Sequence, residues 1–244
     1  ASSTHGYSSG GDFRTPWQNT NAIDKFAFAS NTTAVDQGDL VTVLNYASSQ
    51  SSSTHGYVTG GYKASSPTAR RSAYQRFSFS SAGNASDVGT LIIGLQSNFG
   101  QSSNTHGYQT GGYNTSNSYV NSIERFSFAS NGATTDVGDL TQAVRNGASV
   151  SSVSYGYLAG GNTGSHTDRI EKFTFTSNNN ASAVGSLTSA RIASGSASAV
   201  THGYVVGGNG PVDTVQKWAY ASDGTASNIG TLTAARQNGA SSQY

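Results

Sequence analysis

The stretch Thr201-His202-Gly203-Tyr204-Val205-Val206-Gly207-Gly208 decides how the chain is organised, because its pattern occurs five times. It returns at Thr4 to Gly11, Thr54 to Gly61, Thr105 to Gly112 and, with Tyr155 in the histidine place, Ser154 to Gly161. Six residues separate the histidine place from the second glycine in every copy. Self-similarity at a period of 47 to 51 residues marks an architecture in which each repeat is one supersecondary unit. Residues 1–244 therefore read as a single domain, with repeats beginning near 4, 54, 105, 154 and 201.

The spacing outward from this stretch is almost rigid. Upstream, a Gly-x-Leu segment recurs at Gly38-Asp39-Leu40, Gly89-Thr90-Leu91, Gly138-Asp139-Leu140, Gly185-Ser186-Leu187 and Gly230-Thr231-Leu232, and 15 residues separate the Leu from the next histidine place in all four complete cases. Downstream comes an aromatic alternation, Ile23 to Phe28, Tyr74 to Phe79, Ile123 to Phe128, Ile170 to Phe175 and Val215 to Tyr220. Aromatics at i and i+2 put both rings on one face of a strand, whereas a helix would splay them apart. From the first residue of that strand to the next Leu is 17 residues in every repeat, through turns rich in Ser, Asn and Gly. Length varies only between the diglycine and the aromatic strand, where the distance runs 12, 13, 11, 9 and 7 residues.

Each repeat thus predicts four short strands: one after the Leu, one leading to the histidine place, one entering the diglycine and one aromatic. Four antiparallel strands repeated five times give an all-β fold, a five-bladed β-propeller of four-stranded antiparallel blades. From Leu232 off the end at Tyr244 and back to His5 is 17 residues, two more than the constant 15. That complementarity predicts a ring closed by N- and C-terminal strands sharing one blade. The Ser-, Ala- and Gly-rich run before each histidine place belongs nearest the axis, and the aromatics farther out, where the gaps between blades need volume.

Composition narrows the function. The net charge is +1 with 10% charged residues, which gives no field for nucleic acid or an anionic membrane. No apolar run reaches the ~18–20 residues that would span a bilayer, so no membrane insertion is expected. Cysteine is absent, which removes disulfides, thiolate metal sites and cysteine nucleophiles together.

The diglycine after a Tyr-containing strand, the Lys or Arg within the aromatic strand (Lys25, Arg76, Arg125, Lys172, Lys217) and the Leu-Thr-x-Ala-Arg runs at Leu187 to Arg191 and Leu232 to Arg236 resemble Kelch repeats over the whole chain. The resemblance implies a propeller and, at most, a binding role, because that family is functionally diverse. Where Kelch blades usually carry a Trp, this chain has Val or Ile before Gly at Val88, Val137, Val184 and Ile229, and Gln37 in the first repeat.

His5, His55, His106 and His202, with Tyr155, are spread around a ring, so they read as structural positions rather than as metal ligands, which must converge on one centre. Gly11, Gly61, Gly112, Gly161 and Gly208 read as backbone devices. The basic residue of each aromatic strand is expected to pair with Asp36, Asp87 or Asp136. Carboxylates sit mostly at repeated positions, so catalysis is not expected, nor any metal or cofactor. What breaks the repeat is the variable loop, with Asp12, Phe13, Arg14 and Trp17, then Tyr62 and Lys63, then Tyr113, Asn114 and Tyr119, then Asn162 and His166, then Asn209. Aromatics beside neutral hydrogen-bonding groups suit sugars, which offer apolar C–H faces and hydroxyls. The expectation is a non-enzymatic, surface-exposed binding module, extracellular or on a virion surface, whose partner is a glycan or surface receptor. The alternatives are a structural module packed against neighbouring subunits and a carbohydrate-active enzyme.

Overall fold

The computed structural model describes residues 1–14, 17–63, 67, 69–210, 212–239 and 241–242, and among them there is no helix. Blade 1 contains β1 (His5–Ser9), the small hairpin β2 (Asp12–Arg14) and β3 (Trp17–Asn19), β4 (Ala22–Ala27) and β5 (Val35–Asp39). Blade 2 contains β6 (Ser48–Ser51), β7 (His55–Thr59), the hairpin β8 (Tyr62–Lys63) and β9 (Ala69–Arg70), β10 (Ala73–Ser78) and β11 (Ser86–Thr90). Blade 3 is built of β12 (Leu95–Gln96), β13 (Phe99–Ser102), β14 (His106–Asn114), β15 (Tyr119–Ser127) and β16 (Thr135–Asp139). Blade 4 has β17 (Ala148–Ser151), β18 (Tyr155–Asn162), β19 (His166–Thr174) and β20 (Ser182–Ser186). Blade 5 has β21 (Gly195–Ser198), β22 (His202–Val206), β23 (Val212–Ala219) and β24 (Ser227–Arg236), followed by β25 (Ser241–Ser242).

Within each blade the strands pair antiparallel in chain order, and β6, β13, β17 and β21 lie side by side as the inner strands. The chain is a five-bladed β-propeller. The aromatic strand pairs with the histidine strand so that the glycine after each histidine place faces the first aromatic, as in Gly107↔Phe126. A Cβ on Gly107 would stand 2.2 Å from Phe126 Cζ, so the ring lies flat on bare backbone that no other residue supplies.

Opposite the aromatic strand every blade carries the same β-bulge. Tyr74 faces Gly89 while Gln75 faces Asp87, leaving Val88 extra; the register shifts alike at Ile23/Asp24, Ile123/Glu124, Ile170/Glu171 and Val215/Gln216. A bulge bends its strand and re-aims a side chain. Val88, Val137 and Val184 join the aromatic clusters between blades, and buried Gln37 donates to the carbonyls of Ser78 (3.2 Å) and Ser81 (2.6 Å) in blade 2.

The core is a series of slabs between blades. Tyr57 packs on Phe126 and Phe128, Tyr108 on Phe173 and Phe175, Tyr157 on Trp218 and Tyr220, and Tyr7 on Phe77 and Phe79, with ring centroids 4.7 to 6.2 Å apart. Each blade therefore has a leading face, carrying Tyr, and a trailing face, carrying the aromatic pair. Polar bolts cross the same slabs: Gln75 Oε1 accepts Val41 N–H (2.6 Å), Glu124 Oε2 Ile92 N–H (3.0 Å), Glu171 Oε2 Thr141 N–H (2.8 Å) and Gln216 Oε1 Thr188 N–H (3.0 Å).

Two expectations need correction. The outer strand ends just before its Leu in four blades and runs through it only in β24, because Leu40, Leu91, Leu140 and Leu187 turn down into the core as the chain leaves for the next blade. The seam also differs from a blade shared by the two termini. Ser241–Ser242 runs parallel to Ser196–Ala197 of β21, and the β1-β4-β5 sheet has three strands among the described residues. In blade 2 a covalent turn, where Ser52 N–H donates to His55 O, joins the inner strand to its neighbour, and the same turn recurs where Ser2 N–H donates to His5 O.

Candidate binding face

The variable hairpins and the connections between blades emerge on one face, and they are fastened together. Asn45↔Tyr62 and Arg145↔Asn162 form isolated bridges, Gln96 pairs with Tyr113, and Asn209 N–H donates to Ile192 O at 2.8 Å. In four blades, then, the base of the hairpin is bolted to the connection that precedes the inner strand. The diglycine makes this possible: Gly111 and Gly112 both have positive φ (55° and 117°), and a Cβ on Gly111 would meet Val144 O at 2.6 Å.

Around the axis on this face runs a collar of five equivalent residues, Tyr46, Ser97, Asn146, Ala193 and Asn238, all left-handed with φ between 54° and 58°. Four of the five N–H groups donate to the carbonyl of the residue one blade back: Ser97 to Tyr46 (2.8 Å), Asn146 to Ser97 (3.2 Å), Ala193 to Asn146 (2.7 Å) and Asn238 to Ala193 (2.6 Å). The collar and the residues after it line a cavity of about 300 Å³ whose polar side chains include Ser97, Asn98, Asn146, Ser194 and Asn238. Asn98 Nδ2 donates to Ser48 Oγ at 2.9 Å, while its buried Oδ1 has no partner among the described residues.

Beside the cavity stands an aromatic and cationic cluster. The rings of Tyr113 and Tyr119 meet edge to face at 5.6 Å; the Arg70 guanidinium lies 4.4 Å from the Tyr113 centroid, and that of Arg145 lies 4.9 Å from Tyr113 and 5.0 Å from Tyr119. Arg70 Nε donates to Gln96 Oε1 at 3.0 Å, and neither arginine has a carboxylate partner among the described residues. All four side chains are half-buried, so the rings are held in place yet reachable.

The expected site residues distribute unevenly. Tyr113 and Tyr119 come together, and Asn114 spends its side chain on the hairpin turn, accepting from Ser116 and Ser118 N–H at 3.0 and 2.9 Å. Tyr62, Lys63 and Asn162 are half-buried at hairpin bases; Asp12, His166 and Asn209 are exposed on separate blades. The backbones of Asp12 to Arg14 and Trp17 to Asn19 pair as a hairpin, while the side chains of Phe13, Arg14 and Trp17 lie outside the described residues. Arg70 and Arg145 were not among the residues expected from sequence; a basic residue in the variable loop was the available signal for Arg70, whereas Arg145 lies in the connection between β16 and β17.

The histidines lie on the opposite face, where Thr4, Thr54, Thr105 and Thr201 Oγ1 each sit 2.8 Å from the Nδ1 of the following histidine. Burial, and then Arg76 and Arg125 nearby, hold the His55 and His106 pKa below the usual imidazole range. On that face Val153 and Val200 replace the Ser3, Ser53 and Asn104 of the other repeats, and with Tyr155 and Tyr220 they line an apolar cleft of about 270 Å³. The basic residues of the aromatic strands do not use the expected aspartates. Arg125 donates to Asn178 (3.1 Å) and Lys172 pairs with Asp223, both on the next blade, while Asp36 and Asp136 accept from Gly38 and Gly138 N–H and Asp87 pairs with Arg71. The aromatic strand points its basic side chain along the interblade slab, toward the next blade's turn rather than its own.

No family model matches the chain, and no curated protein matches it. Among solved structures it is similar to one described as "Structure of YjhT", with a TM-score of 0.77 and 14% identity over 90% of this chain and 80% of that one. At that identity the likeness bears on the fold alone.

Proposed function

We propose that the chain is a non-enzymatic binding module that recognises a glycan or a glycan-bearing surface receptor through the hairpin face. The observation that carries this reading is the Tyr113–Tyr119–Arg70–Arg145 cluster at the edge of the axial cavity. Ring faces offer stacking for the C–H side of a sugar, guanidinium N–H groups reach its hydroxyls or acidic substituents, and the asparagines of the cavity add neutral donors and acceptors. The Kelch resemblance supports a binding role in the same coarse sense.

A non-catalytic reading is supported by the use already made of the carboxylates. Glu124 and Glu171 hold amides between blades, Asp36 and Asp136 cap turns, and Asp87 and Asp223 are ion-paired, so no two facing carboxylates remain as an acid and base pair among these. An extracellular or virion-surface position suits a weakly charged, Ser-, Thr- and Asn-rich exterior, and no helix among the described residues is long and apolar enough to cross a membrane. A role in assembly is favoured by a different surface, the seam between blades 5 and 1.

The test is a glycan array probed with the full chain and with Arg145→Ala and Tyr113→Ala. Removing a central anchor costs about 2 kcal/mol, or roughly 30-fold in affinity, so both variants are expected to lose the wild-type signal while keeping its circular dichroism. Undiminished binding by both variants would move recognition off this face, and wild type silent on every glycan would end the reading.

A further inference from the structure

Four slabs between blades are filled and a fifth is not. The first aromatic of the trailing face is 5% exposed at Phe77, 2% at Phe126, 4% at Phe173 and 3% at Trp218, but 42% at Phe26, with Phe28 at 57%. The leading face of blade 5 is uncovered in the same way. Among the described residues Tyr204 has no aromatic partner from another blade, Val215 and Leu232 are half-buried where their equivalents are buried, and the bulged Ile229 is 49% exposed. Nor do the aromatics of the two faces meet among the described residues: Tyr204 contacts the His202 ring, and Phe26 contacts Phe28.

The polar bolts are unpaired at the same place. Asp24 stands where Gln75, Glu124, Glu171 and Gln216 take a connection N–H, and it is exposed without a hydrogen bond among the described residues; the N–H it would match is that of Thr233. In the collar, Tyr46 N–H and Asn238 O are the two ends without a backbone partner among the described residues.

We propose that copies of this chain associate head to tail, the leading face of blade 5 in one copy receiving the trailing face of blade 1 in the next. The occupant is argued from the chain's own interfaces. A surface offering Tyr204, Val215 and Leu232 is matched, four times over in this fold, by a strand presenting two aromatics and a polar residue, and a second copy brings that strand, Asp24 to Phe28, already folded and uncovered. The contact is heterologous, so an open assembly keeps one free face of each kind at its ends and continues to grow unless the rotation between copies closes a ring. The proposal is independent of the glycan reading, because the seam shares no residue with the Tyr113 cluster.

Sedimentation velocity on the full chain from about 1 to 200 μM tests it, with Phe28→Asp and Tyr204→Asp as blocking variants, near-UV circular dichroism checking that each stays folded. Wild type is expected to grow in mass with concentration beyond a dimer, and each variant alone to stay monomeric or dimerise no further than weakly. An equimolar mixture of the two retains one good face of each kind and is expected to stop at twice the monomer mass. Wild type that remains monomeric at the highest concentration overturns the proposal. So does continued growth of either variant beyond a dimer, or a large fall in the dilute melting temperature of both variants with monomeric wild type, which would mean that blades 5 and 1 close on each other within one copy.

Discussion

Glu124 shows how one side chain is placed by the repeat and then charged for it. The bulge at Ile123/Glu124 turns its carboxylate into the slab, where it accepts Ile92 N–H and the Thr134 hydroxyl (2.5 Å) while Oε1 is left without a partner. Burial raises its pKa above the usual carboxylate value, outweighing the two hydrogen bonds. A folded state with a raised carboxyl pKa holds its proton more tightly than the unfolded chain, so its contribution is most favourable below the unfolded value and declines as pH rises through the folded one. Gln75 and Gln216 do the same work as neutral amides in blades 2 and 5. Glu124→Gln is therefore expected to melt above wild type at pH 7, with the difference shrinking at pH 4; thermal unfolding at the two pH values checks it, and a lower melting temperature at pH 7 would mean that the charge itself holds the slab.

At the scale of elements, the histidine strand and the aromatic strand were legible because alternation and fixed spacing point to one pairing. The outer strand was legible in number but not in position, since a buried Leu at the end of a strand and one at its start look alike without knowing which way the chain leaves. The binding cluster was half legible. Tyr113, Asn114 and Tyr119 share one variable hairpin, whereas Arg70 comes from the preceding repeat and Arg145 from the following connection, and only the fold brings them to one ring. The hairpin tips carry little of the fold: Thr163, Gly164 and Ser165 project beyond the Arg145↔Asn162 bridge. Replacing residues 163–165 by Asn-Gly is expected to change stability by no more than about 0.5 kcal/mol in urea unfolding, because surface changes away from caps and cores rarely exceed that. A loss of several times as much would make the hairpins structural rather than free to vary.

For the whole molecule, stability should grade from the middle outward. Blades 2, 3 and 4 are covered on both faces, while blade 1 lacks a cover on its trailing side and blade 5 on its leading side, where β24 is exposed along nearly its entire length. Elements with few buried apolar contacts open locally at low free energy. Hydrogen exchange at low concentration is expected to be fastest in β4, β5 and β24 and slowest in β14, β15, β18 and β19. Equal protection in all five blades would show the ring closed in solution. Repeat count and blade order were readable from spacing; closure was not, because the 17-residue sum measures chain length and says nothing of which edge the last strand prefers.

The collar has one more property. Every one of its N–H groups points the same way around the axis, so the arc is polarised, with a donor terminus at Tyr46 and an acceptor terminus at Asn238. Two such arcs cannot join through like termini. Any filament they form has distinguishable ends, and wherever two rims meet a donor terminus must face an acceptor terminus.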